Sequence, residues 1–448
     1  MDLLDTEQTP NRISTEALMA RSARTSWSLA AVRAGVAERV IERLLGRMSV
    51  GRLSVVDHTT GTTAHYGALP GTDTEADGAR EATMEIHDQR AWTAVLAEGS
   101  IGFGRGYIEG WWTSPDPVAV IRLVIANIRP VDEVRNRVSR VVAPVADRIR
   151  RILPRSDRQG NKEQIAAHYD LGNHFFALFL DETMTYSSAV FPQPDATLEE
   201  ASLHKYDMVI DALGLDAGHH LLEIGTGWGG MAIRAAERTG CRVTTTTISD
   251  EQLRLARRRI ADAGLSDRVT VIDSDWRDLS GSYDRVVSVE MIEAVDWRDY
   301  RRFFSTIENC LKPDGVAVLQ AICVPGRRYQ RTKNTEDFIR RFVFPGGYLP
   351  SIGAVLDAVS SATRLQLIGF NDFSAHYAET LRRWRQRFED HQADLDGLGL
   401  DERFHRLWRF YLCYCEAGFL ERHCTVNHIS LVGRDWRPDL ATVPTIAR

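Results

Sequence analysis

Two acidic residues, Glu290 and Glu293, directly follow an apolar segment at 285–289 that is predicted to form a strand. Ligands of open parallel sheets bind beyond the carboxyl ends of the strands, so both carboxylates fall where a ligand would lie. A buried carboxylate beside a cationic ligand is costly and therefore indicates function. The alternative is a helix N-terminus, whose dipole favours acidic residues. We take Glu293 as the candidate catalytic residue.

A glycine-rich turn follows another predicted strand, at 220–224. The segment LLEIGTGWGG at 221–230 places Glu223 near the strand end and glycines at Gly225, Gly227 and Gly229. Glycine allows unusual dihedral angles and close approach of a ligand to the backbone. The spacing lacks the later glycine of the dinucleotide fingerprint and suits a nucleoside cofactor without pyrophosphate. These four residues are candidate cofactor-binding residues, with a purely structural turn as the alternative.

Polar residues also follow the next two predicted strands. Thr247, Ile248 and Gln252 come at the end of 242–247, and Trp276 comes after 269–273. An adenosine group would lie in the crevice beyond these strand ends, where the indole of Trp276 offers a stacking face. A core position is the alternative for Trp276. Upstream, 164–173 and 179–191 mix aromatic and small polar residues, which suits a cap over an apolar tunnel as well as ordinary packing.

Strand and helix patterns alternate from about residue 163, which predicts a mostly parallel, doubly wound α/β sheet. The predicted strands are 220–224, 242–247, 269–273, 285–289, 316–321, 365–370 and 425–432, and the clearest helices are 231–238, 251–263 and 298–311. Upstream we predict a helix within 23–48, a hairpin at 51–67 around Thr60-Gly61, and a structural turn at 101–106.

The predicted domains are a flexible N-terminus at 1–20, an accessory, lipid-binding domain at 21–128, a basic linker at 129–162, a catalytic domain at 163–435 and a tail at 436–448. The linker holds ten basic residues against four acidic ones, whereas the whole chain of 448 residues carries a net charge of −6. This segment is either simply solvated or attracted to an anionic membrane surface.

The composition excludes several classes of protein. With 44% hydrophobic and 26% charged residues, the chain is neither disordered nor fibrous. Its acidic balance argues against nucleic acid as a partner. The six cysteines form no CxxC pair, so we predict neither a disulfide scaffold nor a metal site. No signal peptide or membrane span is predicted, and the expected location is cytoplasmic, peripheral on the inner face of the cell membrane.

Taken together, the motifs resemble the cyclopropane-fatty-acid synthase family of S-adenosylmethionine-dependent lipid methyltransferases. The resemblance covers roughly residues 80–432. The matching segments are HYDLGN at 168–173, FLDETMTYSSAVF at 179–191, TLEEA at 197–201, EIGTGWGG at 223–230, TISDEQ at 247–252, LKPDG at 311–315, FPGGYLP at 344–350 and HYAETL at 376–381. The combination is highly specific, although each motif alone is not.

The resemblance implies a class I methyltransferase fold, a Rossmann-like doubly wound sheet with a smaller mixed N-terminal domain. It also implies a pocket for S-adenosylmethionine. The pocket residues would be Tyr186, Ser187, Gly225, Gly227, Thr247, Ile248, Gln252 and Trp276.

The resemblance further implies that a bicarbonate ion acts as general base, held by a Cys, a Glu, a His, an Ile backbone group and a Tyr. The matching positions are Ser188, Glu293, Gln320, Ile322 and Tyr377. Ser188 and Gln320 depart from the family's Cys and His, although both can still hydrogen-bond an anion.

The implied reaction is methyl transfer to the cis double bond of an acyl chain of an unsaturated phospholipid, giving a cyclopropane fatty acid. The pattern EMIEAV resembles an actinobacterial branch, some of whose members make 10-methylene acids, the precursors of 10-methyl (tuberculostearic) acids. The implied partners are phospholipid acyl chains, the membrane surface, a reductase acting on a methylene product, and a second copy of the chain. A small-molecule methyltransferase and a non-catalytic lipid-binding protein remain as alternatives.

Overall fold

The computed structural model describes residues 34–67, 81–127 and 171–438. The chain divides into two compact units. The first unit comprises 1–157, 335–345 and 381–423, and the second comprises 158–334, 346–380 and 424–448. The predicted segments 1–20 and 129–162, and most of the tail at 436–448, lie outside the described residues.

The helices and strands of the described residues are, in chain order, α1 (Ala34–Leu45), β1 (Arg52–Asp57), β2 (Thr62–Gly67), β3 (Glu81–Ile86), α2 (Arg90–Glu98), α3 (Ser100–Ile108), β4 (Trp112–Thr113), α4 (Pro117–Ala126), α5 (Asn173–Ala177), α6 (Leu198–Leu213), β5 (His220–Ile224), α7 (Gly230–Thr239), β6 (Arg242–Thr247), α8 (Asp250–Asp262), β7 (Val269–Asp273), β8 (Tyr283–Val289), α9 (Tyr300–Cys310), β9 (Leu311–Cys323), α10 (Gly326–Thr332), α11 (Phe338–Phe342), α12 (Ile352–Ala362), β10 (Gln366–Asp372), α13 (Ser374–Asp390), α14 (Gln392–Gly397), α15 (Glu402–Leu420) and β11 (Thr425–Val432). Short 3₁₀ turns lie at Trp276–Asp278, Ile292–Ala294 and Trp297–Asp299.

The first unit contains a four-stranded sheet in the order β2-β1-β3-β4. β1 and β2 pair antiparallel with Asp57 opposite Thr62, which confirms the predicted hairpin. β3 joins β1 in parallel, and β4 pairs antiparallel with β3.

The predicted turn at 101–106 is wrong, because the segment lies within α3. Its glycines allow close packing rather than a change of direction. A Cβ on Gly102 would lie 1.9 Å from the carbonyl oxygen of Ala94, and one on Gly104 would lie 2.2 Å from the ring of Phe338. Glycine lowers helix propensity, so the sequence favours a turn where tertiary packing selects a helix.

The division into units differs from the predicted catalytic domain at 163–435, because 335–345 and 381–423 group with the first unit. Aromatic packing accounts for the difference. The ring of Phe410 on α15 packs edge-to-face on Phe103, Trp112 and Phe338. These contacts join residues that lie 307, 298 and 72 positions apart, and such distant pairs leave no periodic signal in the sequence.

The second unit contains a seven-stranded sheet in the order β10-β11-β9-β8-β5-β6-β7. The five strands from β9 to β7 are parallel, and β11 runs antiparallel to both β9 and β10. All seven predicted strands are present, and the doubly wound α/β fold is confirmed.

Alternating side chains of this sheet enter two apolar cores. Leu222, Val286 and Leu319 belong to one core with α9 and α12, whereas Leu221 and Val287 belong to the other with α6 and α7. Successive residues of a strand point to opposite faces, so helices cover both faces of the sheet. Among the described residues, no helix is long and apolar enough to cross a membrane.

Candidate active site

The glycine turn after β5 depends on backbone conformations that favour glycine. Gly225, Gly227 and Gly229 have φ values of +97°, +51° and +88°. A Cβ on Gly227 would meet nothing within 4 Å, whereas a Cβ on Gly225 would lie 3.1 Å from Met291 Cγ. Met291 separates Glu290 from Glu293, so the turn touches the segment that carries both carboxylates.

The end of β6 is fixed next to this turn. The amide of Thr226 donates to the Thr246 carbonyl at 2.7 Å. The Thr247 hydroxyl donates to Gln252 Oε1 at 2.9 Å, and both side chains are buried. Ile248 is half-buried beside them. The structure thus brings these predicted cofactor residues to the same edge of the sheet as the glycine turn.

Trp276 lies in the apolar core that also holds Phe303. Its ring packs edge-to-face on Phe303 at 5.4 Å, and the Arg277 guanidinium lies 4.8 Å from its centroid. These contacts explain its burial without a ligand, so its role as an adenine-binding residue stays a prediction.

The segment at 179–191 is held against the glycine turn by Arg259 of α8. Arg259 donates to the carbonyl oxygens of Glu182, Thr183 and Trp228 at 2.8–3.0 Å. Tyr186, a predicted cofactor residue, packs its ring edge-to-face on Phe176 at 5.3 Å. The segment therefore lies over the turn, as the interpretation of a cap requires.

Lys205 of α6 is a site residue that the sequence analysis missed. Its side chain is fully buried, and its Nζ donates to Ser187 Oγ at 2.8 Å. Burial lowers the pKa of Lys205 to about 8, while Glu290, Asp181 and Glu223 oppose the shift. Lys205 lies on the same helical face as the other buried residues of α6, and this spacing is the sequence signal that predicts its burial.

Glu223 is buried at the end of β5, where it accepts a hydrogen bond from the Thr245 hydroxyl at 2.6 Å. Burial raises the pKa of Glu223 to about 8, although the hydrogen bond and Lys205 oppose the shift. The carboxyl group is thus protonated below about pH 8.

Glu290 is the residue on which the predicted anion-binding groups converge. Its Oε1 accepts from the Ser188 amide at 2.9 Å and from Gln320 Nε2 at 2.7 Å, and its Oε2 accepts from Tyr377 Oη at 2.7 Å. Burial raises the pKa of Glu290, and these three donors oppose the shift.

Glu293, three residues after Glu290, has a different hydrogen-bonding environment. Its Oε1 accepts from the Ile322 amide at 2.6 Å, and its Oε2 is buried without a partner among the described residues. Burial and the neighbouring Glu290 raise the pKa of Glu293 to about 8. Among the described residues, Glu290 has three donors and Glu293 has one, so the arrangement favours the negative charge on Glu290 and the proton on Glu293.

The structure brings the predicted catalytic residues together, but in two groups. Ser188, Gln320 and Tyr377 contact Glu290, and the Ile322 amide contacts Glu293. The Ser188 hydroxyl donates to the Ala189 carbonyl, so its backbone amide is the group that contacts the carboxylate. The position of Glu290 at a strand end is visible in the sequence, but its donors come from distant segments and leave no local signal there.

This arrangement does not fit a bound bicarbonate ion. Three of the groups expected to hold that ion already donate to the Glu290 carboxylate, which has the shape and charge of the ion.

Residues 156–429, more than half of the chain, match the family model of mycolic acid cyclopropane synthetases. The chain is 39% identical to the tuberculostearic acid methyltransferase UfaA1 of Mycobacterium tuberculosis over 438 residues, 96% of this chain and 98% of that one. It is 33% identical to the cyclopropane-fatty-acyl-phospholipid synthase of Escherichia coli over 354 residues, 77% of this chain and 86% of that one. The crystal structure of mycolic acid cyclopropane synthase CmaA1 complexed with SAH and CTAB matches with a TM-score of 0.56 and 31% identity, covering 60% of this chain and 98% of that one.

Proposed function

The chain belongs to the family of mycolic acid cyclopropane synthetases and is an S-adenosylmethionine-dependent methyltransferase, and from this premise we propose that it methylates the cis double bond of an unsaturated acyl chain in a phospholipid. The observation that carries the proposal is the contact between the glycine turn and the segment bearing Glu290 and Glu293. This contact puts the proposed binding site of the methyl donor next to carboxylates that can accept a proton from a carbon atom of the substrate.

The cofactor would lie at the carboxyl ends of β5 and β6. Its binding residues would be Tyr186, Ser187, Glu223, Gly225, Gly227, Gly229, Thr247, Ile248, Gln252 and Trp276. S-adenosylmethionine, when bound, supplies an electrophilic methyl group. The open space beside Gly227 supports this placement, because a side chain there would occupy the approach to the backbone.

An alkene is a weak nucleophile, so the protein must hold it in line with the methyl group and exclude water. Methylation leaves a cation on the acyl chain, which water would capture. Phe175, Phe191 and Tyr377 are buried in the second unit. Their rings offer an apolar lining that also attracts a cation.

Both products lose a proton from the new methyl group, and they differ in where the cation lies when that proton leaves. Loss while the cation is on the other alkene carbon closes a cyclopropane, the product we propose from the family. A hydride shift that first moves the cation to the methylated carbon leads instead to a 10-methylene acid, which a separate reductase would convert to a 10-methyl acid. The second product is favoured by the 39% identity to a tuberculostearic acid methyltransferase over almost the whole chain.

The test is incubation of the purified protein with S-adenosylmethionine and vesicles of cis-monounsaturated phospholipid, followed by mass spectrometry of the acyl chains. We expect a gain of one carbon, as a ring or as a methylene group. Gly227→Val should abolish the product, whereas Gly264→Val is the matched control, because Gly264 has a φ of +70° and equally open surroundings.

The alternatives give different results. Cofactor binding by calorimetry without any methylated lipid would favour a small-molecule methyltransferase. A protein that binds lipid but no cofactor would favour a non-catalytic role.

We also propose that the protein acts in the cytoplasm at the inner face of the cell membrane, with residues 21–128 as an accessory lipid-binding domain and 163–435 carrying catalysis. The basic segment 129–162 supports this location, because each basic residue near anionic lipid contributes about 1 kcal/mol. A second copy of the chain is a further proposed partner, to be tested by the mass of the protein in solution.

A further inference from the structure

Three hydrogen-bond donors from distant parts of the second unit meet on one carboxylate. The Ser188 amide, Gln320 Nε2 and Tyr377 Oη lie 2.7–2.9 Å from the oxygens of Glu290. Such a carboxylate is held in one orientation and pre-organised for chemistry.

We propose that Glu290 is the general base of the reaction and replaces an exogenous anion with a carboxylate built into the chain. The inference rests on the proposed function, because it concerns the proton that must leave the methylated acyl chain. Glu290 thereby takes the role of proton acceptor that the family resemblance gives to bicarbonate.

The hydrogen bonds leave room for a proton. An ionised carboxylate has about four acceptor positions, two on each oxygen. Oε1 accepts from both Ser188 and Gln320, whereas Tyr377 is the only donor to Oε2 among the described residues. Oε2 therefore keeps a lone pair for a proton from the substrate.

The backbone of Glu290 supports the assignment independently. Its φ is +47°, in the left-handed region that residues other than glycine seldom adopt. Its amide donates to the Gln320 carbonyl at 2.8 Å, which continues the pairing of β8 with β9. Strain of this kind persists where the surroundings hold a residue in place, and it is concentrated at functional sites.

The neighbouring groups favour an ionised Glu290 carboxylate, which is the form that can accept a proton. Protonated Glu293 adds no second negative charge, while buried Lys205 interacts electrostatically with Glu290. The charge of the carboxylate is thus balanced within the site.

Methyl transfer leaves a cation on the alkene carbon next to the methylated carbon. For a cyclopropane, a C–H bond of the new methyl group breaks and its electron pair forms the last ring bond. For a methylene product, a hydride first shifts from the methylated carbon to the cationic carbon, and the electron pair of a methyl C–H bond then forms the C=C bond. The proton bonds to Glu290 Oε2 and passes to solvent before the next turnover.

The wild-type protein provides the first test, in buffer freed of carbon dioxide. We expect the same rate of lipid methylation with and without added bicarbonate, and no bound signal from ¹³C-bicarbonate in NMR. A rate that requires bicarbonate would overturn the inference, and this result needs no variant that might misfold.

Two substitutions provide the second test. Glu290→Gly removes the base, suits the positive φ and opens the place of the carboxylate, so we expect turnover to fall by about 10²–10⁴-fold. Added bicarbonate or formate should restore part of it and should bind detectably. Glu290→Gln keeps the shape without a base, so it should lose turnover and show no rescue.

Glu308→Gln is the matched control, because the Glu308 carboxylate also accepts a backbone amide, at 2.8 Å from Arg364 N. Cofactor binding by calorimetry and thermal melting verify that each variant is folded. Wild-type turnover in Glu290→Gln would refute the role of Glu290 while leaving the proposed function intact. A wild-type protein that methylates no lipid would refute the proposed function itself.

Discussion

Gln320 and His428 lie directly opposite each other on the antiparallel strands β9 and β11, with Gln320 Oε1 2.9 Å from His428 Nε2. Burial and the nearby Lys205 lower the pKa of His428 to about 3, so the ring is neutral at pH 7. The amide oxygen can only accept, so the ring donates from Nε2. This contact fixes the amide orientation that turns Gln320 Nε2 toward Glu290.

Replacing His428 with Phe should therefore disturb Glu290 through Gln320. Phe keeps the ring volume beside Phe373 but leaves the buried Gln320 oxygen without its donor, which costs about 1–3 kcal/mol of unfolding free energy. We expect a lower turnover with cofactor affinity unchanged. His220→Phe is the control, since His220 also bonds a strand side chain, Thr244, at 2.9 Å. Equal turnover in both variants would contradict the positioning role.

Tyr377→Phe removes the hydrogen bond to Glu290 Oε2. Hydrogen bonds to charged groups contribute about 1.5–3 kcal/mol, so turnover should fall by roughly 10- to 100-fold. The pKa of Glu290 should also rise, which moves the acidic limb of the pH–rate profile to higher pH. Tyr283→Phe is the control, because its hydroxyl donates to the Ser280 carbonyl at 3.4 Å, outside the site. An unchanged pH profile would argue against this coupling.

Glu293→Gln should keep the fold and most of the turnover at pH 7, because a neutral amide replaces a carboxyl group that is protonated at that pH. The amide oxygen can still accept from Ile322, so the thermal melting temperature should change little. The variant has no carboxyl group to titrate near pH 8, so any limb of the pH–rate profile at that pH should disappear. A large loss of turnover with full cofactor binding would mean that the Glu293 carboxyl group takes a direct part in the reaction.

Glu223 should make stability depend on pH. Its pKa rises from about 4.5 in the unfolded chain to about 8 in the folded protein, so the folded state holds the proton through this range. The protonated carboxyl group contributes fully to the free energy of unfolding below about pH 4.5, and this contribution is lost as the pH rises toward 8. Relative to Glu223→Gln, the wild-type unfolding free energy should fall by up to about 1.4 kcal/mol per pH unit. Urea unfolding from pH 5 to 8 measures this, and a constant difference would contradict it.

Binding to anionic vesicles should weaken with salt, since the basic residues of 129–162 would act through charge that salt screens over about 8 Å. Reversing two charges, Arg150→Glu with Arg151→Glu, should weaken binding by at least about 2 kcal/mol, roughly thirtyfold. Arg242→Glu with Arg327→Glu, two exposed positions of the second unit, is the control. Flotation that is the same at low and high salt would exclude the electrostatic contribution.

The strands and the glycine turn were predictable because their signals are local. Apolar runs bounded by turn residues predict all seven strands of the second unit, and glycines at three positive-φ positions mark the turn after β5. Placement of Glu290 and Glu293 at a strand end follows from the same pattern, because parallel strands end at a common edge. The motifs were enough to identify the family.

The choice between the two glutamates required the tertiary structure. The partners of Glu290 lie 102, 30 and 87 positions away in the chain, at Ser188, Gln320 and Tyr377. The helical path of 101–106 likewise depends on distant neighbours such as Phe338. Hydrogen bonds and packing act through space, and a one-dimensional pattern holds no distance between residues of different elements. The sequence thus shows which groups are present, whereas folding decides which carboxylate receives the donors and which one keeps its proton.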